Sequence, residues 1–173
     1  QITDGTGNKN QAVISGEKIV WQDSRNGNSD IYMHDLSSGV ESQITTDTAH
    51  QFAPHIEGNR IVWEDLRLGE SRIYMWDLSS GVESQISNGP GEADLRPRVY
   101  ENFAVWVGSE DKIHLKNVIS GVESIIYEEE NSPYAPAIHD DKVVWVTYSN
   151  AMNYVKMYDL GTGLITNISI GSF

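Results

Sequence analysis

Residues 19–36 read IVWQDSRNGNSDIYMHDL, and residues 61–78 read IVWEDLRLGESRIYMWDL. These stretches belong to two longer segments, 16–45 and 58–87, which are identical at 21 of 30 aligned positions. Self-similarity at a spacing of roughly 20–50 residues is typical of propellers, solenoids and other repeat folds. The sequence therefore predicts a repeat protein whose unit contains this stretch.

The same pattern continues to the end of the chain. One tryptophan recurs at spacings of 42, 43 and 39 residues, at Trp21, Trp63, Trp106 and Trp145. The sequence SGVES occurs three times, at 38–42, 80–84 and 120–124. We therefore predict one domain over 1–173 with four units, approximately 4–45, 46–87, 88–127 and 128–170. The repeated tryptophans are predicted to be structural.

Each unit is predicted to contain four short strands. The second strand is an apolar run that ends at the repeated tryptophan, which is typical of a strand covered on both faces. The third strand alternates, so that Ile31 and Met33 share one face. The fourth strand follows the repeated glycine and is predicted to include Ile44, Ile86, Ile125 and Ile168. Tight-turn pairs such as Gly16-Glu17 separate the strands.

Four-stranded antiparallel units of this length describe the blades of an all-β propeller, and a solenoid of stacked hairpins is the alternative. Residues 19–36, together with the segments APHI at 53–56 and APAI at 135–138, resemble the TolB-type propeller repeat. This resemblance implies a β-propeller of the kind found in tandem in cell-surface proteins of archaea and in bacterial envelope proteins. TolB-like propellers usually have six blades, whereas this sequence contains four repeats.

The two ends of the sequence carry matching fourth-strand segments. Residues 1–3, QIT, match residues 43–45, and the last unit has its own version at 167–169. Four interpretations remain open at this point. Either the chain was cut from a longer array, or the extra strand covers a sheet edge. Alternatively, two chains complete one ring of eight blades, or four blades close a small ring by themselves.

The composition excludes several classes of function. The chain has 12 basic and 25 acidic residues, a net charge of −13, so it should be repelled by nucleic acids and by anionic membranes. It contains no cysteine, which excludes disulfides and thiolate metal sites. No apolar run approaches the ~18 residues of a membrane span. We expect no nucleic-acid partner and no membrane insertion.

The segment between the second and third strands of the first unit is rich in oxygen ligands. Asp23, Asn26, Asn28 and Asp30 surround Gly27, and Ca²⁺ prefers oxygen ligands of this kind. The spacing differs from that of an EF-hand loop, and residues 65–72 have lost most of these oxygens. We interpret the segment as a hairpin turn with a solvated acidic rim and keep calcium as the alternative. No other cofactor is expected.

Several cationic and aromatic side chains are candidates for binding a ligand or partner. His50 and His55, and likewise Arg96 and Arg98, lie near predicted inner strands, where they would face a central channel and suit an anionic ligand. The residue type at the position of Trp76 differs between the units. Trp76 is therefore predicted either to contact a partner or to fill a gap between blades.

Loops at one rim of a propeller are the expected binding surface. Arg25 and Arg67 lie in such loops and are predicted to contact the partner. The predicted rim consists of residues 23–28, 47–51, 65–70, 89–94 and 149–153.

These features favour a non-enzymatic, extracellular module at the cell surface that binds protein or carbohydrate, or spaces other domains. Near-identical blades and the lack of a GxSxG elbow or a glycine-rich phosphate loop support this prediction. The alternatives are a propeller-type polysaccharide lyase or hydrolase, with its site in residues 85–127, and a sensor that binds a small ligand in the channel. A homodimer that completes the ring is a further expected form.

Overall fold

The computed structural model describes residues 1–3, 5–88, 95–108, 111–128 and 132–168. Within these residues the chain forms sixteen strands in four antiparallel sheets of four strands each. Each sheet corresponds to one predicted repeat, which confirms the prediction of an all-β fold with four four-stranded blades. In the same part of the chain, no helix has the length and apolar character that crossing a membrane requires.

The chain divides into two compact units, Gln1–Ala93 and Asp94–Phe173. The first unit contains blades 1 and 2, with sheet orders β1-β2-β3-β4 and β5-β6-β7-β8. The strands of blade 1 are β1 (Lys9–Ser15), β2 (Lys18–Asp23), β3 (Asp30–Asp35) and β4 (Val40–Gln43). Those of blade 2 are β5 (Gln51–Glu57), β6 (Arg60–Asp65), β7 (Arg72–Asp77) and β8 (Val82–Gln85).

The second unit contains blades 3 and 4, again with neighbouring strands paired in chain order. The strands of blade 3 are β9 (Leu95–Tyr100), β10 (Phe103–Gly108), β11 (Lys112–Asn117) and β12 (Glu123–Tyr127). Those of blade 4 are β13 (Tyr134–His139), β14 (Lys142–Ser149), β15 (Met152–Asp159) and β16 (Ile165–Asn167). That residues 1–173 form a single domain stays a prediction.

Tight turns connect the first and second strands where the sequence predicts them. Gly16 and Gly58 have φ values of +54° and +55°, and Asp140 takes the same conformation at +50°. This left-handed conformation is the one that two-residue hairpin turns require, and glycine and aspartate adopt it more readily than most residues. The turns therefore fix the register of the first two strands in each of these blades.

The first strand of every blade is interrupted by a β-bulge at the same position. Its register shifts between Asn10 and Val13 in β1, and the equivalent shift occurs in β5, β9 and β13. One non-glycine residue at each bulge has a positive φ of 47–56°, namely Gln11, Ala53, Arg96 and Ala135. Such a backbone costs free energy, so its repetition in four blades marks it as a built-in part of the fold.

The core of the first unit lies between blades 1 and 2. Blade 1 contributes one face, which we call its outgoing face, formed by Val20, Ile31, Met33 and Ile44. Blade 2 contributes the opposite kind of face, which we call its incoming face, formed by Ile56, Ile61, Trp63 and Tyr74. The strands alternate side chains between these two faces, which explains why the second strands are apolar throughout.

The second unit repeats this arrangement between blades 3 and 4. The outgoing face of blade 3 includes Ile113, Leu115 and Ile126, and it packs on Ile138 and Trp145 of blade 4. The prediction that the fourth strand includes Ile125 is confirmed, since β12 spans Glu123–Tyr127, and the buried isoleucine of that strand is its neighbour Ile126. Ile44, Ile86 and Ile168, by contrast, lie one residue beyond the ends of β4, β8 and β16. Ile125 pairs with His114 and is exposed, because it occupies the place of Gln43 in blade 1.

Candidate functional site

A network of polar side chains closes the end of the second strand in blade 1. The indole N–H of Trp21 donates to Asp23 Oδ2 at 3.0 Å, and Arg25 donates to the same oxygen through Nη2 at 2.6 Å. Arg25 also pairs with Glu41 on β4, and its guanidinium lies 4.2 Å from the centre of the Tyr32 ring. We call this set of residues the Trp–Asp–Arg–Glu clamp.

Blade 2 contains a second clamp with the same geometry. Trp63 donates to Asp65 Oδ2 at 2.9 Å, and Arg67 Nη2 donates to that oxygen at 2.7 Å. Arg67 pairs with Glu83 and lies 4.1 Å from the centre of the Tyr74 ring. Both arginines that the sequence suggested for partner binding therefore hold the ends of two strands together.

The clamp changes the acid–base properties of its members. Burial raises the pKa of the Asp23 carboxyl, but hydrogen bonds from Arg25 and Trp21 outweigh it and hold this pKa at about 2. The hydrogen bonds that Arg25 donates to Asp23 and Glu41 raise the pKa of Arg25 above its already high ordinary value. Lys9 adds a second positive charge, 3.5 Å from Asp23 Oδ2. Asp23 therefore stays ionised although its side chain is fully buried.

We expect the clamp of blade 1 to lose its stabilising effect in acid. Because the pKa of Asp23 is lower in the folded chain than its ordinary 3.8, the stabilisation is complete above pH 4 and is lost as the pH falls towards 2. The stability gap between the native chain and Asp23→Ala, measured by urea unfolding, should shrink by about 2 kcal/mol over that interval. A gap that stays constant down to pH 2 would contradict the assignment.

The clamp is absent from two of the four blades. Gly108 and Thr147 occupy the position of Asp23 in blades 3 and 4. In blade 4 the indole N–H of Trp145 is buried and has no hydrogen-bond partner among the residues that the structure describes. The repeated tryptophan is thus retained in blades that lack the aspartate and the arginine.

Three segments of the predicted rim come together around His50 in the first unit. The backbone N–H of Ser29 donates to His50 Nδ1 at 3.1 Å, and the N–H of Leu66 donates to the His50 carbonyl at 3.0 Å. Asn28 donates through Nδ2 to the carbonyls of Asp47 and Ala49. Residues 23–29, 47–51 and 65–70 therefore form one connected surface, which we call the unit 1 rim.

The oxygen-rich segment of blade 1 bonds to itself. Asp30 is buried and accepts hydrogen bonds from the side-chain amides of Asn26, Asn28 and Gln43. Burial raises the pKa of Asp30, and the bonds from Asn26 and Asn28 oppose this shift. Among the described residues, no group of three or more His, Asp or Glu side chains is arranged to hold a metal ion. The segment is a hairpin turn, but its acidic side chains Asp23 and Asp30 are buried, so the prediction that they form a solvated rim was wrong. Side-chain amides take the place of water around Asp30.

The remaining candidate residues occupy separate places. Trp76 is partly buried and packs on the core of the first unit, so it fills space within the fold. His55 is half-buried on β5 beside Val62. In the second unit, Arg98 donates to the carbonyl of Pro97, and Arg96 is exposed at the bulge of β9. The first two of these residues belong to the first unit and the two arginines to the second, so that they face one central channel stays a prediction.

Two of the cavities that border the described strands concern the predicted site residues or the sheet faces. One of about 340 Å³ lies on the incoming side of blade 1 and is lined by Ile2, Thr3, Lys9, Asn10, Gln11, Ala12, Ile19 and Trp21. Another of about 360 Å³ lies in the second unit and is lined by Leu95, Arg96, Val107, Asp111, Ser132, Pro133 and Tyr134. Ser132 donates to Asp111 at 3.0 Å, so part of the polar lining of the second cavity is already satisfied.

Some predicted features lie wholly or partly outside the described residues. The rim segment 89–94 lies outside them, and so does Ser169 of the fourth-strand segment 167–169. The rim segment 149–153 is described and forms the turn between β14 and β15, with positive φ at Asn150 and Ala151.

No protein-family model matches the chain, and no curated protein matches it. The chain is similar to several solved structures. A putative TolB from Agrobacterium tumefaciens has a TM-score of 0.71 at 20% identity, over 88% of this chain and 61% of that one. TolB from Acinetobacter baumannii has a TM-score of 0.68 at 20% identity, and the match covers 96% of this chain and 44% of that one. A puromycin-hydrolyzing peptidase from Mycobacterium tuberculosis has a TM-score of 0.74 at 11% identity, and the match covers 96% of this chain and 29% of that one.

These values concern fold. The chain spans less than two thirds of the length of each of these proteins. Its four antiparallel sheets correspond to propeller blades, as the repeat pattern and the resemblance both imply. The chain therefore has a TolB-like β-propeller fold.

Proposed function

We propose that the chain is a non-enzymatic module of the cell surface that binds a protein or carbohydrate partner through the unit 1 rim. The observation that carries this proposal is the way the rim is built. Its charged residues bond to one another, while Leu68 at the β6–β7 turn is 61% exposed. A preformed surface with an exposed apolar side chain suits binding, because little ordering cost remains to be met on association.

The chemistry of the rim supports binding over catalysis. His50 Nδ1 accepts the backbone N–H of Ser29, and the Ser29 hydroxyl accepts from Gln22, so these groups are not arranged as a base and a nucleophile. The net charge of −13 favours a basic or neutral partner and an extracellular, salt-rich setting.

The rim proposal is tested with a matched pair of leucine variants. The chain is probed against a glycan array and a displayed peptide library, and the bound ligands are remeasured with Leu68→Ser and Leu36→Ser. Leu36 is also exposed but lies at the opposite end of the strands, in the β3–β4 turn. We expect Leu68→Ser to weaken binding by about tenfold and Leu36→Ser to leave it unchanged. Equal effects of the two variants would refute the placement.

An enzymatic role is the second candidate, and the second-unit cavity is the observation in its favour. Arg96, Asp111 and Tyr134 line that cavity, which would suit an acidic sugar. Turnover of an acidic polysaccharide panel, abolished by Arg96→Ala, would replace the binding proposal with a lyase or hydrolase. Binding of a small acid without turnover would instead support the sensor alternative.

A further inference from the structure

The incoming face of blade 1 carries exposed apolar residues. Ile14 of β1 occupies the position that Ile56 occupies in β5, yet Ile14 is 60% exposed and Ile56 is 1% exposed. Ala12 and Pro54 are another equivalent pair, in which Ala12 is exposed and Pro54 is buried. Blade 1 thus carries the apolar residues of an incoming face without the blade that covers this face in the first-unit core.

One outgoing face is exposed as well. Ile168 follows β16 as Ile44 follows β4, and both donate the same backbone hydrogen bond at 2.8 Å, to Val155 and to Ile31. The backbone of the two blades is therefore equivalent at this point. Ile44 is 9% exposed, whereas Ile168 is 52% exposed. Val155 and Met157, which correspond to the buried Ile31 and Met33, are only half-buried.

The chain itself shows which kind of surface covers each face. The outgoing face of blade 1 packs on the incoming face of blade 2, and blade 3 packs on blade 4 in the same manner. Residues 16–45 and 58–87 are identical at 21 of 30 positions, so the incoming face of blade 1 is nearly a copy of one that receives a blade. The exposed outgoing face of blade 4 is apolar, as are the outgoing faces of blades 1 and 3 that pack on an incoming face.

The N-terminal residues mark the docking position on blade 1. The 340 Å³ cavity on this face is lined by Ile2 and Thr3 together with Ile19 and Trp21. Residues 1–3 repeat the QIT of 43–45, whose isoleucine is part of the junction between blades 1 and 2. An isoleucine from a fourth-strand segment therefore already lies on this face, and Ile2 remains exposed beside open space.

We propose that two copies of this chain associate head to tail, with the outgoing face of blade 4 of each copy packed on the incoming face of blade 1 of the other. Two unlike faces that recur in every copy generate a closed assembly when the geometry allows it. Propellers have roughly 4–8 blades, so two copies of four blades reach the upper limit and three copies would exceed it. This inference goes beyond rim binding, because the two faces that it joins lie outside the unit 1 rim.

The test measures the mass of the 173-residue chain by light scattering during size-exclusion chromatography. We expect twice 19.3 kDa for the native chain and 19.3 kDa for Ile14→Glu and for Ile168→Glu alone. Because each variant retains one intact face, an equimolar mixture of the two should again form a species of twice that mass. Val82→Glu, at an exposed valine of β8, is the matched control and should remain a dimer. Far-UV circular dichroism verifies that each variant is folded.

Three results would overturn the inference. A native mass of 19.3 kDa at every concentration would show that the faces do not join two copies. A dimer that survives Ile168→Glu would show that blade 1 pairs with something other than the outgoing face. In the Ile14→Cys/Ile168→Cys variant, whose only thiols are these two, a cross-link within one chain would show self-closure. None of these measurements uses the unit 1 rim, so their failure leaves rim binding to be decided by the leucine variants.

Discussion

Replacing Asp65 with alanine is expected to lower the free energy of unfolding by about 3–5 kcal/mol, because it removes one partner from a buried ion pair. Asp65 is fully buried and accepts hydrogen bonds from the Trp63 indole and from the backbone and side chain of Arg67. The variant leaves the indole N–H without a partner and Arg67 with Glu83 alone. The measurement is equilibrium unfolding in urea at neutral pH.

Thr147→Ala is the matched control for the clamp. Thr147 occupies the same position in blade 4 and is equally buried, but it belongs to a blade without the arginine. We expect this change to cost about 1 kcal/mol or less. The double variant Asp65→Ala/Arg67→Ala should cost less than the sum of its single variants, because no unpaired charge remains. Equal costs for Asp65→Ala and Thr147→Ala would show that the clamp contributes little.

Ile56→Ala is expected to destabilise the chain by about 2–5 kcal/mol, whereas Ile14→Ala should change its stability by about 0.5 kcal/mol or less. The two isoleucines are equivalent in sequence, but only Ile56 lies in the core between blades 1 and 2. Unfolding of both variants is measured at low protein concentration, where the chain is monomeric. Similar losses for the two variants would mean that Ile14 is covered within a single copy.

The repeat made most of the fold predictable. The spacing of Trp21, Trp63, Trp106 and Trp145 identified the four blades, and the apolar run before each tryptophan identified the strand on which it lies. Which isoleucine of blade 3 is buried was less evident, since Ile125 and Ile126 both lie on β12. An alignment on the repeated SGVES places Ile126 at the position equivalent to Ile44, because each lies six residues after the first serine of that sequence.

The candidate site was less predictable, because its contacts join strands that are distant in sequence. The pairing of Arg25 with Glu41 spans 16 residues and depends on the register between β3 and β4. The sequence alone does not reveal this pair, and Arg25 therefore resembles a residue that is available to bind a ligand. One signal was available, since the sequence W-x-D-x-R and the glutamate of SGVES recur together in blades 1 and 2 and not in blades 3 and 4.

The bulges of the first strands have a consequence for how the chain avoids aggregation. Each sheet has two edges, and an unbroken edge strand is a template on which a foreign strand can add. At one edge, the left-handed residue at Gln11, Ala53, Arg96 or Ala135 interrupts the row of backbone donors and acceptors. At the other, β4, β8 and β16 have only three or four residues. Amyloid-like growth from these edges is therefore disfavoured, and contacts between copies are left to side chains.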